Sequence, residues 1–277
     1  MEQTPRLMEG RRGLIMGVAN SHSIAWGIAK TVAQHGAALA FTYQGEALGK
    51  RVGPLAKSLA ADLVLPCDVE DLASVDSIFA DIEKAWGGLD FLVHAIGFSD
   101  KSELKGRYAD TTRENFSRTM IVSCFSFTEV AKRAAAIMPR GGSLLTLTYG
   151  GSTRVMPNYN VMGPAKAALE ASVRYLAADF GPQGIRVNAL SPGPVRTLAG
   201  AGITDARAMF SFQRAHSPLR KSVTLEDIGG SALYFLSDLS AGVTGEVHHI
   251  DAGYNIISMP RPEDLRTSDF AQDLAAQ

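Results

Sequence analysis

A phenol and an ammonium group stand seven residues apart in YNVMGPAK, which runs from Tyr159 to Lys166. At about 100° per residue, a seven-residue step returns to within about 20° of its start, so on a helix the two heads share one face. A hydroxyl that donates and accepts hydrogen bonds, set beside a three-donor cation, can then converge on one ligand. An isolated Tyr/Lys pair is more often a half-buried tyrosine and a solvated lysine. The elements around the pair must decide.

Those elements alternate. Runs rich in β-branched and apolar residues at 13–18, 38–43, 62–67, 89–96, 143–148, 185–191 and 246–251 read as strands. Segments of helical period near 24–35, 45–60, 71–86, 112–136, 160–180 and 225–237 lie between them. This order predicts an α/β fold: a single doubly wound Rossmann-type domain over 1–277, its seven-stranded parallel sheet flanked by helices on both faces. The Tyr159/Lys166 pair falls on the fifth of these helices. Residues 193–222 are too long for a plain connection and read as a functional excursion with short helices, while 260–277 form a polar tail.

In an open parallel sheet, ligands bind beyond the carboxyl ends of the strands. After the first strand, Gly17 permits a sharp exit, and Ser23 is placed to cap a helix opening at Ile24, whose positive end suits a pyrophosphate. The spacing is not GxGxxG, and a turn, a cap and a packing glycine at Gly27 account equally for these residues. After the second strand, Gln44 stands where a ribose-binding acid is expected. Its amide can still bond a ribose hydroxyl, and the nearest cations, Lys50 and Arg51, do not adjoin it, which favours NADH over NADPH. Asp68, beside Val69, offers a carboxylate to an adenine amino group, or else simply opens a helix. Gly97, after Ile96, lets the backbone approach a ligand closely.

Composition narrows the partners. With 27 basic and 28 acidic residues and a net charge of -1, the chain gives no electrostatic reason to expect nucleic acid or an anionic membrane. The first residues lack the apolar run of a signal peptide, and no stretch approaches the roughly 18 apolar residues of a membrane span, so a cytoplasmic protein is expected. Cys67 and Cys124 lie far apart with no CxxC and read as free buried thiols. His248 and His249 are adjacent on a strand and point to opposite faces, so no metal is expected.

The sheet pattern, Asp68-Val69, the glycine after the fourth strand, the Tyr/Lys helix and the SPGPVRT segment resemble the short-chain dehydrogenase/reductases. LTLTYGG (145–151), PNYNVMGPAK (157–166), GIRVNALSPGPVRTLA (184–199) and DLSAGVTGEV (238–247) resemble one branch closely, the NADH-dependent enoyl-[acyl-carrier-protein] reductases of bacterial type II fatty-acid synthesis. The likeness runs from Gly13 to about Met259. Departures from the wider pattern favour that branch. Ordinary short-chain reductases carry Tyr four residues before Lys, where this chain has Met162, which holds no proton to donate. Their Ser, thirteen residues earlier, is replaced by Tyr149, and their Asn-Asn-Ala-Gly by His94-Ala95-Ile96-Gly97.

Chemistry accounts for the shift. When hydride reduces a ketone, charge develops on the oxygen of the attacked carbon. When it adds to the β-carbon of an enoyl thioester, charge develops on the remote thioester oxygen, so the phenol must be displaced, and three helical residues correspond to about 4.5 Å.

The resemblance implies that Tyr159, Lys166 and Tyr149 serve catalysis. It implies that Gly17, Ser23, Ile24, Gln44, Asp68, Val69, Ile96, Gly97, Lys166, Val195 and Thr197 hold NADH. Gly97, Phe98, Tyr149, Met156, Tyr159, Met162, Ala199, Gly200, Ile203 and Met209 are expected to line the substrate pocket, with residues around 197–216 as a lid over the acyl chain. Its implied partners are an enoyl thioester on acyl carrier protein, facing Arg207, Arg214, Arg220 and Lys221, and further copies of the chain in a homotetramer packed through the helices at 112–136 and 160–180.

Overall fold

The computed structural model describes residues 6–195, 197, 206–259 and 261, with nothing said of the side chains of 206–208. Leu14 and Met16 enter one layer of the core and Ile15 the other, so the first strand needs cover on both faces. The same division holds across the sheet: Leu92, Leu144 and Val187 face one side, and Phe41, Phe91, Val93, Leu145 and Leu190 face the other. Seven strands, β1 (Arg12–Met16), β2 (Ala38–Tyr43), β3 (Leu63–Pro66), β4 (Phe91–His94), β5 (Gly142–Leu147), β6 (Ile185–Pro192) and β7 (Val247–Ile250), pair in parallel in the order β3-β2-β1-β4-β5-β6-β7. The order reverses between β1 and β4, the switch point at which such sheets open a ligand crevice.

Helices α1 (Ile24–Gln34), α2 (Gly45–Ser58) and α8 (Leu225–Leu236) cover one face. Helices α3 (Leu72–Trp86), α5 (Ser126–Ala136) and α6 (Met162–Phe180) cover the other. α4 (Arg113–Met120) leads into α5, and α7 (Ala206–His216) lies in the long excursion after β6. Gly27 serves packing as expected: a Cβ there would stand 2.8 Å from Leu225 Cβ, so α1 and α8 meet at backbone distance.

The expected strands agree with the observed ones to within two residues at each end. The helix expected over 112–136 does not run unbroken. A π-helical turn, Ile121–Phe125, separates α4 from α5. Its wider turn sends Ser123 Oγ out to the Phe98 backbone, while Ser126 Oγ returns a hydrogen bond to Val122 O at 2.8 Å. No Gly or Pro marks the place, and such turns recur at functional sites.

His94, fully buried at the end of β4, sets Nε2 3.0 Å from Ser126 Oγ and Nδ1 3.4 Å from Thr146 Oγ1. Burial, with the nearby Lys166 cation adding to it, holds its pKa down to about 3 from the ordinary 6.5. The folded chain therefore keeps His94 neutral, and below about pH 6.5 the unfolded chain takes up the proton first. The stability this group contributes is complete above that pH and is lost progressively toward pH 3. Urea midpoints measured between about pH 6.5 and 5 should fall with a contribution of about 1.4 kcal/mol per pH unit from this residue. His94→Gln should flatten that dependence, and an equal slope in both proteins would show that His94 is not its source.

Candidate active site

Around the carboxyl ends of β1, β4 and β5 the chain comes close to itself. Gly17 leaves β1 at φ 96°, where a Cβ would lie 2.1 Å from Ala95 O, so only glycine fits the exit. Ser23 stands at the N-cap position of α1, yet its Oγ accepts from the amides of Ala19 (3.0 Å) and Asn20 (3.1 Å) instead of from the helix. The expected cap is thus a loop brace. Among the described residues nothing accepts from the Ile24 or Ala25 amide, which leaves the positive end of α1 open to an anion.

At the β2–β3 edge, Gln44 donates through Nε2 to Asp68 Oδ2 at 3.0 Å, and Asp68 Oδ1 accepts from the Glu70 amide at 3.0 Å. Val69 is buried beside them. The two residues expected at ribose and adenine therefore touch each other, on the far side of β1 from the Tyr/Lys pair.

Beyond β4, Ile96 packs on the core while Gly97 and Phe98 are exposed. A Cβ on Gly97 would stand 3.6 Å from Met162 Cε, 3.7 Å from Ser123 Oγ and 3.8 Å from Lys166 Nζ, so three side chains ring this glycine. Ser123 Oγ lies 2.9 Å from both the amide and the carbonyl oxygen of Phe98 and 3.6 Å from Met162 Sδ. The Arg118 guanidinium lies 4.6 Å above the Phe98 ring and is held by a two-pronged pair with Glu70 at 2.9 and 2.8 Å.

Tyr149 follows β5 and meets Tyr159 edge to face, ring centroids 5.2 Å apart. The Tyr159 ring lies over Gly151, where a Cβ would come within 2.5 Å of it, and Met156 packs against Gly150 and Gly151. Tyr159 is not on the helix. α6 begins at Met162, and the tyrosine sits in the turn before it, between Asn158 at φ 57° and Asn160 at φ 31°. Asparagine is one of the few residues besides glycine to tolerate this left-handed backbone. Asn160 also fixes the turn by donating to Glu103 O at 2.9 Å and Lys105 O at 3.3 Å. The displacement of the phenol from the Met162 position is made by a turn and not by a step along a helix.

Lys166 is buried on α6 and donates from Nζ to Leu147 O at 2.8 Å. Desolvation lowers its pKa to about 8. Desolvation drives the Tyr159 phenol upward, helped by Tyr149 and by the Glu170 carboxylate, and Tyr149 also moves up through burial and then Tyr254. Near neutral pH the site therefore presents two protonated phenols.

At the end of β6, Val195 is half-buried against the core and its carbonyl accepts from the Thr197 amide at 2.8 Å. Ala199, Gly200 and Ile203 lie outside the described residues. Met209 is half-buried on α7, well apart in sequence from the β4–β5 group. A shallow groove between Pro194, Phe210, Gln213 and Asp251 lies under α7, and neither Tyr159 nor Lys166 lines it.

Three side chains in this region escape the sequence reading: Ser123, Thr148 and Glu170. Thr148 Oγ1 donates to Glu170 Oε1 at 2.6 Å, both buried. The legible signal for Glu170 is its place in KAALE, a charge four residues after Lys166 within the apolar stripe of the helix.

A dinucleotide fits this ground. The open first-turn amides of α1, the side-chain-free approach at Gly97 and the Gln44/Asp68 pair are polar or unobstructed where phosphate, nicotinamide and adenosine would lie in a Rossmann sheet. Among the described residues no group of three His, Cys, Asp or Glu could hold a metal ion, and no helix is long and apolar enough to cross a membrane.

Comparison with known proteins agrees. Residues 17–255 match the family model described as Enoyl-(Acyl carrier protein) reductase. The enoyl-[acyl-carrier-protein] reductase [NADH] 2 of Rhizobium meliloti (strain 1021) is 73% identical over 263 residues, 95% of this chain and 98% of that one. The crystal structure of FabI from Candidatus Liberibacter asiaticus superposes with a TM-score of 0.91 at 59% identity, covering 93% of this chain and all (100%) of that one. The Anaplasma phagocytophilum enoyl-(acyl-carrier-protein) reductase, solved in complex with NAD, gives 0.91 at 55% identity, covering 94% and 100%. With the family model spanning nearly the whole sheet and identity this high across full-length relatives, the chain belongs to the enoyl-[acyl-carrier-protein] reductase family.

Proposed function

We propose that this protein reduces the carbon–carbon double bond of a trans-2-enoyl thioester on acyl carrier protein with NADH, the last reductive step of type II fatty-acid elongation. The observation that carries this reading is the exchange of positions around Lys166. The residue four before it, Met162, lies against Ser123 Oγ and Gly97 and has no proton to give, while the phenol of Tyr159 stands in the preceding turn against Tyr149. That arrangement suits charge developing away from the carbon that receives the hydride.

NADH, when bound, supplies the hydride for the β-carbon. Tyr159 donates a hydrogen bond to the thioester oxygen as it becomes an enolate oxygen, and its raised pKa keeps the donor proton in place. Tyr149, edge-on to that ring, fixes its tilt and lines the acyl pocket. Lys166 holds the nicotinamide ribose hydroxyls and lends positive charge to the transition state. The open α1 amides receive the pyrophosphate. Gln44 would bond an adenosine ribose hydroxyl and Asp68 the adenine amino group, and the nearest cations in sequence, Lys50 and Arg51, do not adjoin Gln44, which supports NADH over NADPH.

The same reading makes the protein a cytoplasmic homotetramer. Phe116, Ile121, Phe125 and Tyr175 are large apolar side chains left exposed on α4, the π turn and α6, the elements expected to meet other copies.

Purified protein should consume NADH with a crotonyl thioester and leave an acetoacetyl thioester untouched. Consumption with the second alone would replace this assignment with a ketoreductase. Tyr159→Phe, which keeps the ring and its packing, should lower kcat by about a hundredfold with little change in KM for NADH. Lys166→Met should raise KM for NADH and lower kcat/KM by about a hundredfold, and steady-state kinetics varying each substrate in turn separate the two patterns.

A further inference from the structure

We propose that Glu170, braced by Thr148, is a positioning residue that keeps Lys166 cationic and Tyr159 protonated by setting one buried negative charge behind both. The consequence for catalysis rests on the function proposed above. The charge itself is a property of the fold.

Geometry carries the argument. Lys166 and Glu170 lie four residues apart on α6, in the stripe that the helix buries against the sheet. Residues so spaced are neighbours on a helix surface, about 5–6 Å apart at Cβ. Both side chains are anchored to consecutive residues at the end of β5: Lys166 Nζ donates to Leu147 O at 2.8 Å, and Thr148 Oγ1 donates to Glu170 Oε1 at 2.6 Å. The helix is thus clamped twice, one turn apart, to the segment that runs straight into Tyr149. A buried carboxylate without a cation partner is costly. The other buried carboxylates among the described residues are accounted for: Asp90 takes Arg12 N and Arg140, and Asp251 takes the Gly253 and Asn255 amides. Among the described residues the hydrogen bond to Glu170 comes from a neutral hydroxyl, and the buried cation on its own helix face is Lys166, beyond direct ion-pair distance.

The remaining titratable groups around the lysine cannot take that part. His94 on β4 stays neutral, since its pKa is held down to about 3. Cys124 on the π turn has its thiol pushed up by burial, so it is uncharged where the lysine titrates, near 8. Tyr149 and Tyr159 are likewise pushed up. Arg186, the charged residue of β6, is turned to the carbonyls of Phe235 and Ser237. Burial lowers the lysine's pKa, and Cys124 and then Glu170 oppose that fall; Cys124 does so only as a thiolate, a form its own burial disfavours, so the lasting charge is that of Glu170, which also adds, after Tyr149, to the rise at Tyr159. A single charge therefore favours the protonated form of both groups.

The test follows the Lys166 ionisation directly in the full chain carrying 13C-labelled lysine, whose Cε shift reports protonation without substrate. Glu170→Gln keeps the shape and an acceptor for Thr148 while removing the charge. Its Lys166 midpoint should fall by about one pH unit, and the alkaline limb of kcat with NADH and a crotonyl thioester should move down equally, about a tenfold loss of kcat on that limb with little change near pH 6. Thr148→Val should move both in the same direction by less, and Thr148→Ser should restore them, which keeps the proposal testable if the Glu170 variant fails to fold. A Lys166 midpoint unchanged in these variants, or a kcat loss uniform with pH, overturns the proposal. Absence of turnover by the unmodified protein would count against the proposed function, while the Cε titration still decides the role of Glu170.

Discussion

The structure depends on a cation kept out of water. Lys166 occupies a position in the stripe of α6 that would ordinarily hold a Leu or Ala, between Ala165 and Leu169. Desolvating an ammonium group costs several kcal/mol unless hydrogen bonds and charge offset it. The offset is supplied by the end of β5, where Leu147 O has no further ladder partner to satisfy and accepts the lysine instead. This one contact ties a nineteen-residue helix to the carboxyl edge of the sheet at the place where a ligand would sit. The cost of burying the cation and the rigidity of the site are therefore the same fact.

The close approach of β4 to α6 has its own requirement. Gly97 leaves a space that Met162 Cε, Ser123 Oγ and Lys166 Nζ all border, and a side chain at that position would have to displace one of them or any ligand lying there. Ser123 reaches the Phe98 backbone because the π turn rotates it out of the register that a continuous helix would impose. Methionine fits this junction well: its thioether is a weak acceptor for Ser123 and its flexible chain fills an irregular gap.

Much of this was legible from residue types. The strands were readable because each is apolar on both faces, and a parallel sheet buried between helix layers leaves that mark in the sequence. The switch-point logic then located Gly17, Gln44, Asp68 and Gly97 near strand ends without any knowledge of contacts, while Lys166 came from its spacing to Tyr159 and Tyr149 from the family resemblance. Periodicity is blind to three other features. It read one helix over 112–136, because a π turn preserves apolar composition. It gave Ser23 to the helix, because an N-cap and a loop brace use the same hydroxyl. It placed Tyr159 on α6, because seven residues suit a helical face whether or not the first of them is helical. Glu170 was missed for a different reason: a lone acid in a buried stripe looks like a solvated charge until its partner is known to be buried as well.

The misplacement of Tyr159 clarifies how this site differs from that of a ketone reductase. If the phenol were simply one turn earlier on the same helix, moving it would drag the helix axis and the lysine with it, because side chains on one helix share a rigid frame. A turn with two left-handed asparagines uncouples them. Asn158 and Asn160 swing the chain so that the Tyr159 ring stacks on Gly151 and against Tyr149, while Met162 and Lys166 keep their places relative to β4 and β5. Non-glycine residues held at positive φ carry strain of about 1–3 kcal/mol each, and that strain persists only where the surroundings over-determine it. Here the Asn160 amide is fixed by the carbonyls of Glu103 and Lys105, so the loop after β4 and the turn before α6 brace one another. The position of the Tyr159 phenol is thereby set by a local turn, without altering the sheet or the lysine.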